Sequence, residues 1–261
     1  MAHGGKIDPM HQFTVEPLFG QNLVVGGYDL SFTNSALWMV LTLVGLWVFM
    51  LGGMKRELIP GRWQAAVESV TGFITGMMHA NIGPEGRRFV PLVFSLFMFI
   101  LLSNILGLAP IGVVPGGHAF TSTSHFTVTG TLAVLAFGTV LVVGFAKHGF
   151  HFFSLFVPHG TPAVMIPLMF VIELLSFMIR PFSLALRLFV AMTAGHILLK
   201  VLAGFVINAS AAGVGYGVLV GLPTFVLMVG ISALELLVCA IQAYVFALLT
   251  SLYLNDAVNL H

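Results

Sequence analysis

Between residues 173 and 256, eight side chains able to carry charge or to hydrogen-bond strongly interrupt long apolar runs: Glu173, Arg180, Arg187, His196, Lys200, Glu235, Gln242 and Asp256. Histidine titrates near neutrality, and desolvation can push a glutamate toward the same range, so a His/Glu pair can pass protons. Arginine keeps its proton in a protein. A fixed cation repels a migrating proton and holds a nearby carboxylate as its anion. The set therefore contains the parts of a proton path and of a gate across it.

Spacing groups these residues. Glu173, Arg180 and Arg187 are seven apart, a repeat that drifts by only about 20° per step on a helix. His196 follows Arg187 by nine residues, which at about 100° per residue puts it on the opposite face. Glu235 and Gln242 are again seven apart. If the two segments fold as an antiparallel hairpin, facing residue numbers share one sum. Arg187 with Gln242 gives 429 and His196 with Glu235 gives 431, which places the turn near Gly215. Two polar levels result: Arg187 opposite Gln242, and His196 opposite Glu235 nearer the turn.

The elements that must hold these residues are membrane helices. The 261-residue chain is 58% hydrophobic and 7% charged, against about 25% charged for a soluble domain, and its mean hydropathy is +1.05. The fold class is an all-α polytopic membrane protein. Ten Lys+Arg balance nine Asp+Glu, so no nucleic-acid footprint is present. The single cysteine, Cys239, excludes a disulfide framework. The first 30 residues lack the basic start, apolar core and cleavage site of a signal peptide.

Hydropathy places spans at about 35–54, 89–109 and 126–146, and two long apolar stretches at about 162–208 and 217–254. Residues 62–82 carry Arg62, Glu68 and His79 and read as an amphipathic surface helix. About 20 residues suffice to cross a bilayer. The last two stretches are about twice that, so they read as two strongly inclined helices forming one antiparallel hairpin. The whole is one integral membrane domain, 1–261: an outer segment 1–34, three spans and the surface helix over 35–146, and the ion-translocating hairpin over 162–255. Lys55, Arg56, Arg62, Arg87, Arg88 and Lys147 fall in connectors on one side, while loop 110–125 has no charge. By the positive-inside rule those connectors are cytoplasmic, the N-terminus is outside, and five crossings leave the C-terminus inside.

A charge at mid-membrane costs about 3 kcal/mol, so intramembrane charges face protein or water and mark a pathway. The outer pair His196–Glu235 reads as a proton path, and Arg187 as a gate whose carboxylate partner comes from another chain. Arg180 is open between a snorkelling cation and a structural partner of Glu173. Glu173 is open between that pairing and lining the inner path. Lys200 reads as snorkelling. Gln242 by itself could be a helix–helix hydrogen bond. His148 and His151 lack companion ligands for a metal, and no cofactor motif is present. The Asn-Ala-Ser triplet at 208–210 matches a glycosylation acceptor and carries little weight.

At these residues a resemblance enters. "LALRLFVAMTAGHILL" (184–199), "NILGLAP" (104–110, with Asn104 in the second span) and "ELLVCAIQAYVFALLTSLYLNDA" (235–257) resemble, in order, motifs of subunit a of the rotary F-type ATP synthase. The "DPMHQF" start and the His-then-Glu order are similar to alphaproteobacterial members. The resemblance implies a non-catalytic stator in a bacterial inner membrane. Its implied partners are a ring of small hairpin subunits that each carry a carboxylate, the peripheral-stalk subunit b, other ATP synthase subunits and membrane lipids. It implies that Arg187 is the essential arginine between two half-channels, that His196 and Glu235 line the outer one, that Gln242 sits opposite the arginine, and that Glu173 belongs to the inner path. Ala191 stands where family members usually carry asparagine, so no role passes to that position.

Two other classes compete. A stand-alone secondary transporter predicts inverted repeats and a pocket at broken helices, and the chain shows no repeat. An intramembrane enzyme predicts a nucleophile–base or metal signature, which is missing. Sodium could replace the proton as the carried ion, but the titratable His196–Glu235 pair favours protons.

Overall fold

The computed structural model describes residues 14, 15, 17, 24, 25, 28, 29, 31–54, 57, 59–108, 121–156 and 165–259. The "DPMHQF" start, Lys55 and Arg56, most of loop 110–125 and Pro162 lie outside them. A two-residue antiparallel hairpin, β1 (Val24–Val25) with β2 (Tyr28–Asp29), precedes the helices. Six helices follow. They are α1 (Asn34–Gly53), α2 (Arg62–Ile82), α3 (Val90–Leu108), α4 (Phe126–His148), α5 (Ile166–Ala211) and α6 (Val214–Val258). Five of them are long and apolar enough to cross a membrane, and α2 is the exception. Nearly all described residues are helical, so the chain is an all-α polytopic membrane protein.

Local chemistry explains the ends. The Thr33 hydroxyl accepts from the Ala36 amide and caps α1. Gly213, at φ +123°, supplies the one backbone geometry between α5 and α6 that an L side chain rarely adopts. The hairpin therefore turns at Gly213, two residues before the position expected from a constant pairing sum. α6 opens with a π-helical turn at Gly217–Gly221, which packs extra residues into the arm.

α5 has 46 residues and α6 has 45, so at about 1.5 Å per residue each is close to 70 Å long. The hydrocarbon layer is about 30 Å thick. A helix of this length held wholly inside that layer would lie roughly 60° from the membrane normal.

The core lies between α3, α4, α5 and α6. Val93 and Ile100 from α3, Val140 from α4, and Leu188 and Met192 from α5 are fully enclosed. They meet Cys239, Ala243, Ala247 and Leu254 of α6. The small alanines let backbones approach closely, which is how apolar helices associate without a hydrophobic force between them. α2 closes one side with Val67, Ile74, Met78 and Ile82 on a single buried stripe. The Asn81 amide donates to Ser251 of α6 at 2.6 Å. Phe152 and Phe156, in the 3-10 segment Gly149–Phe156, stack with Phe177 of α5. By contrast Val40, Leu43, Val44, Trp47 and Val48 of α1 are exposed, an apolar surface suited to lipid or a partner and not to water.

Ion pairs set the ends of the bundle. Glu85, before α3, meets Lys147, at the end of α4, at 2.6 Å, and Arg88 at 3.0 Å. His148 Nε2 lies 3.1 Å from the Val258 carbonyl. Glu85, Arg88 and Lys147, with His148 and the end of α6, thus gather at one end of the molecule, away from the α5–α6 turn.

Candidate functional site

The site grows from the approach of α5 to α6. Gly195 has no side chain, and a Cβ there would stand 2.5 Å from Glu235 Oε1. That space lets the Glu235 carboxylate reach His196 Nδ1 at 2.5 Å. His196 is 9% exposed and Glu235 3%, so both are taken from solvent into surroundings where a hydrogen bond is electrostatically stronger than in water. Met192 and Cys239 touch sulfur to sulfur at 3.9 Å one turn further along.

The second imidazole nitrogen, Nε2, is bonded to the hydroxyl of Thr121. Thr121 opens a short 3-10 turn, Ser122–Ser124, between α3 and α4, and Thr121, Ser122, Thr123 and Ser124 are all buried. Thr123 donates to Asn104 Oδ1 at 2.6 Å, and Thr193 donates to the Ser124 carbonyl at 3.4 Å. Beside these bonds, Ser103 Oγ, Asn104 Nδ2, Ser122 Oγ and Glu235 Oε2 are buried with no hydrogen-bond partner among the described residues. Buried polar atoms are normally satisfied, so these four keep the capacity to hydrogen-bond water. Burial holds the His125 imidazole, next in the chain, below its ordinary value. The result is a polar track from α6 through α5 to the α3–α4 connection.

Arg187 lies elsewhere. It is exposed, on the face of α5 that also exposes Phe182 and Val190. Among the described residues it makes no hydrogen bond or ion pair, and none joins it to half-buried Gln242. At 1.5 Å per residue it stands about 14 Å along α5 from His196.

Arg180 is held from both arms. Its guanidinium lies 2.7 Å from Asp256 of α6 and 3.7 Å from Glu173 of α5. It also stacks on Phe177 and Tyr253 at 5.5 and 5.2 Å. The pairing sum is 431 for His196–Glu235 and Met192–Cys239 but 436 for Arg180–Asp256. The arms are not in constant register, which is why Asp256 was not paired from spacing. Lys200 is half-buried on α5, and Asn208 lies inside the last turns of α5. His148 and His151 have no metal-ligand cluster around them among the described residues.

Sequence reasoning brought His196 and Glu235 together and missed Thr121. The available signal was a Thr-Ser-Thr-Ser run without charge in an otherwise apolar chain. Such a run has to be hydrogen-bonded if it is buried.

Comparisons with known proteins bear on these residues. A family model described as ATP synthase A chain matches residues 35–255. "ATP synthase subunit a" of Rhizorhabdus wittichii is 72% identical over 260 residues, covering 100% of this chain and 99% of the relative. The protein of that name from Zymomonas mobilis is 66% identical over the full length of both chains. That from Rhodospirillum rubrum is 47% identical, over 97% of this chain and 99% of the relative.

Proposed function

The chain belongs to the ATP synthase A chain family, and from that membership we infer that it carries protons past a rotor through two half-channels separated by Arg187. It is a non-catalytic, multi-pass membrane subunit of a proton-translocating ATP synthase, and its partners are other subunits of that complex. In the finer reading, protons enter at the outer pair His196–Glu235. They neutralise a carboxylate on a ring of small hairpin subunits, travel with the ring, and leave near Glu173. Arg180 holds the inner end together or lines it, Gln242 partners the gate, and subunit b braces the assembly. Asn104, of the second-span motif, accepts from Thr123 beside the outer path. The N-terminus is periplasmic, the C-terminus cytoplasmic, and the membrane is the bacterial inner membrane.

The observation that carries this reading is the contrast between two charged sites on one helix. His196 and Glu235 are buried and bonded to each other. Arg187, about two and a half turns away, is exposed on an apolar face and unpaired within the described chain. A cation on such a face costs about 3 kcal/mol in lipid, so it requires an anionic partner from outside. A rotating carboxylate meets that requirement only while ionised. It must therefore lose its proton before passing Arg187, and protons that pass do so only by riding the ring. Each charge moved through 100 mV supplies about 2.3 kcal/mol, and several such steps must add up to drive ATP formation. A leak past the cation would dissipate them.

Cross-linking tests the partner. With Cys239 replaced by alanine, Val190→Cys sits one turn from Arg187 on the exposed face and should form disulfides with cysteines beside the ring carboxylate. Cross-links to another subunit alone would contradict the reading.

A further inference from the structure

We propose that Thr121 is a positioning residue for proton transfer at His196: its hydroxyl serves both protonation states of the imidazole while the ring stays on Glu235. This rests on the reading of His196 and Glu235 as the outer path.

Both ring nitrogens of His196 are engaged, Nδ1 by Glu235 and Nε2 by Thr121. A neutral imidazole has one N–H and one acceptor nitrogen, and an imidazolium has two N–H groups. With Glu235 ionised, the neutral ring must turn its N–H to the carboxylate at Nδ1. Nε2 is then a buried acceptor and needs a donor. When a proton arrives on Nε2, that nitrogen becomes a donor and needs an acceptor. A hydroxyl does both by rotating its hydrogen, and Thr121 is the hydroxyl at that nitrogen. A carbonyl could serve only the charged form and an ammonium only the neutral one. The transfer then balances: a proton from the outer path binds Nε2 and adds one charge to the ring, Nδ1–H passes its proton to the Glu235 carboxylate, and the ring is left neutral as the Nε2–H tautomer, donating to the Thr121 oxygen and accepting from protonated Glu235 at Nδ1.

The hydroxyl is held by three elements. The Thr121 carbonyl accepts from the Ser124 amide at 3.0 Å and from the Ser124 hydroxyl at 2.6 Å, which fixes the turn. Thr193, three residues before His196 on α5, donates to the Ser124 carbonyl. On α3, Gly107 leaves open the volume that Thr121 occupies, since a Cβ there would collide with the threonine side chain. Thr121 itself is 2% exposed, so bulk water cannot replace its hydroxyl.

The test is passive proton flux in vesicles carrying the assembled complex with its catalytic head removed, normalised to assembled complex. Thr121→Val keeps the shape and removes the hydroxyl. Its flux should fall about tenfold, the worth of one buried hydrogen bond, and Thr121→Ser should keep more than half of it. Thr121→Cys, close to serine in size but a weak hydrogen-bonding group, is the second variant and should fall clearly below serine. Wild-type flux in Thr121→Val, equal loss in valine and serine variants, or parity of cysteine with serine each overturns the proposal. His196→Ala is measured in parallel. If it abolishes flux while Thr121→Val keeps wild-type flux, this inference fails alone. If His196→Ala conducts normally, the outer-path reading fails with it.

Discussion

Replacing Gly195 by alanine adds one methyl group where α5 passes the Glu235 carboxylate that is bonded to His196. The new Cβ would stand 2.5 Å from Glu235 Oε1, 2.8 Å from Cδ and 3.2 Å from Cγ. Ordinary contact begins near 3.4 Å, so the carboxylate must move by about 0.9 Å, the difference between 3.4 and 2.5. Glu235 is 3% exposed and cannot swing out. Along the Nδ1···Oε1 line, that movement would stretch the bond from 2.5 Å to about 3.4 Å, beyond useful hydrogen-bond length. Across that line it would bend the bond instead. Overpacking costs about 1–3 kcal/mol, while alanine for glycine inside a helix returns up to about 1 kcal/mol. The net loss of stability is small enough for the complex to assemble. A charge-assisted hydrogen bond is worth about 1.5–3 kcal/mol, so proton flux per assembled complex should fall roughly ten- to a hundredfold. Passive flux in head-stripped vesicles reads this directly. Gly138→Ala, where a Cβ meets nothing within 4 Å, is the control and should be unchanged. Wild-type flux in an assembled Gly195→Ala complex would refute the reasoning, because the pair would then tolerate losing its contact.

The end of the hairpin at Arg180 and Asp256 should respond differently. Arg180 and Asp256 are 25% and 36% exposed, and partly solvated pairs contribute about 0–1 kcal/mol. Asp256→Asn should therefore lower the thermal stability of the complex only slightly, and a shift of more than a few degrees would show the pair to be buried in the assembly. Cys239 is fully buried against Met192, so a polar maleimide should label it only after denaturation, and rapid labelling of intact vesicles would contradict the packing of the hairpin. Glu235→Gln keeps the size of the side chain and removes the carboxylate bonded to His196. Flux should drop by at least tenfold with assembly retained, and normal flux would mean that the carboxylate is not on the path.

Much of this was legible in the sequence because charge is expensive in lipid. Glu235 and His196 had to be near each other, and the length of the two apolar stretches fixed where a hairpin could bring them together. The five long apolar helices and the amphipathic α2 follow from hydropathy and from Arg62, Glu68 and His79. Asp256 was not matched to Arg180 because one pairing sum was assumed for the whole hairpin. The sum is 431 at both His196–Glu235 and Met192–Cys239 and 436 at Arg180–Asp256, so the register changes far from the turn at Gly213, along stretches whose sequence carries no periodic signature of it. Arg187 and Gln242, placed at one level by their numbers, make no hydrogen bond to each other, and Arg187 is exposed where Gln242 is half-buried. Thr121 was only partly legible, through the uncharged Thr-Ser-Thr-Ser run at 121–124. Its importance comes from burial against α5, and burial of a loop cannot be inferred from the polarity of its residues.

The central claim is that Arg187 separates two proton paths, and ATP-driven proton pumping by membrane vesicles carrying Arg187→Ala tests it most directly, with Arg180→Ala beside it and assembly checked in both. The account predicts that Arg187→Ala assembles but neither pumps protons nor makes ATP, while Arg180→Ala retains activity. Normal pumping by an assembled Arg187→Ala complex would contradict it and leave Arg187 a structural cation.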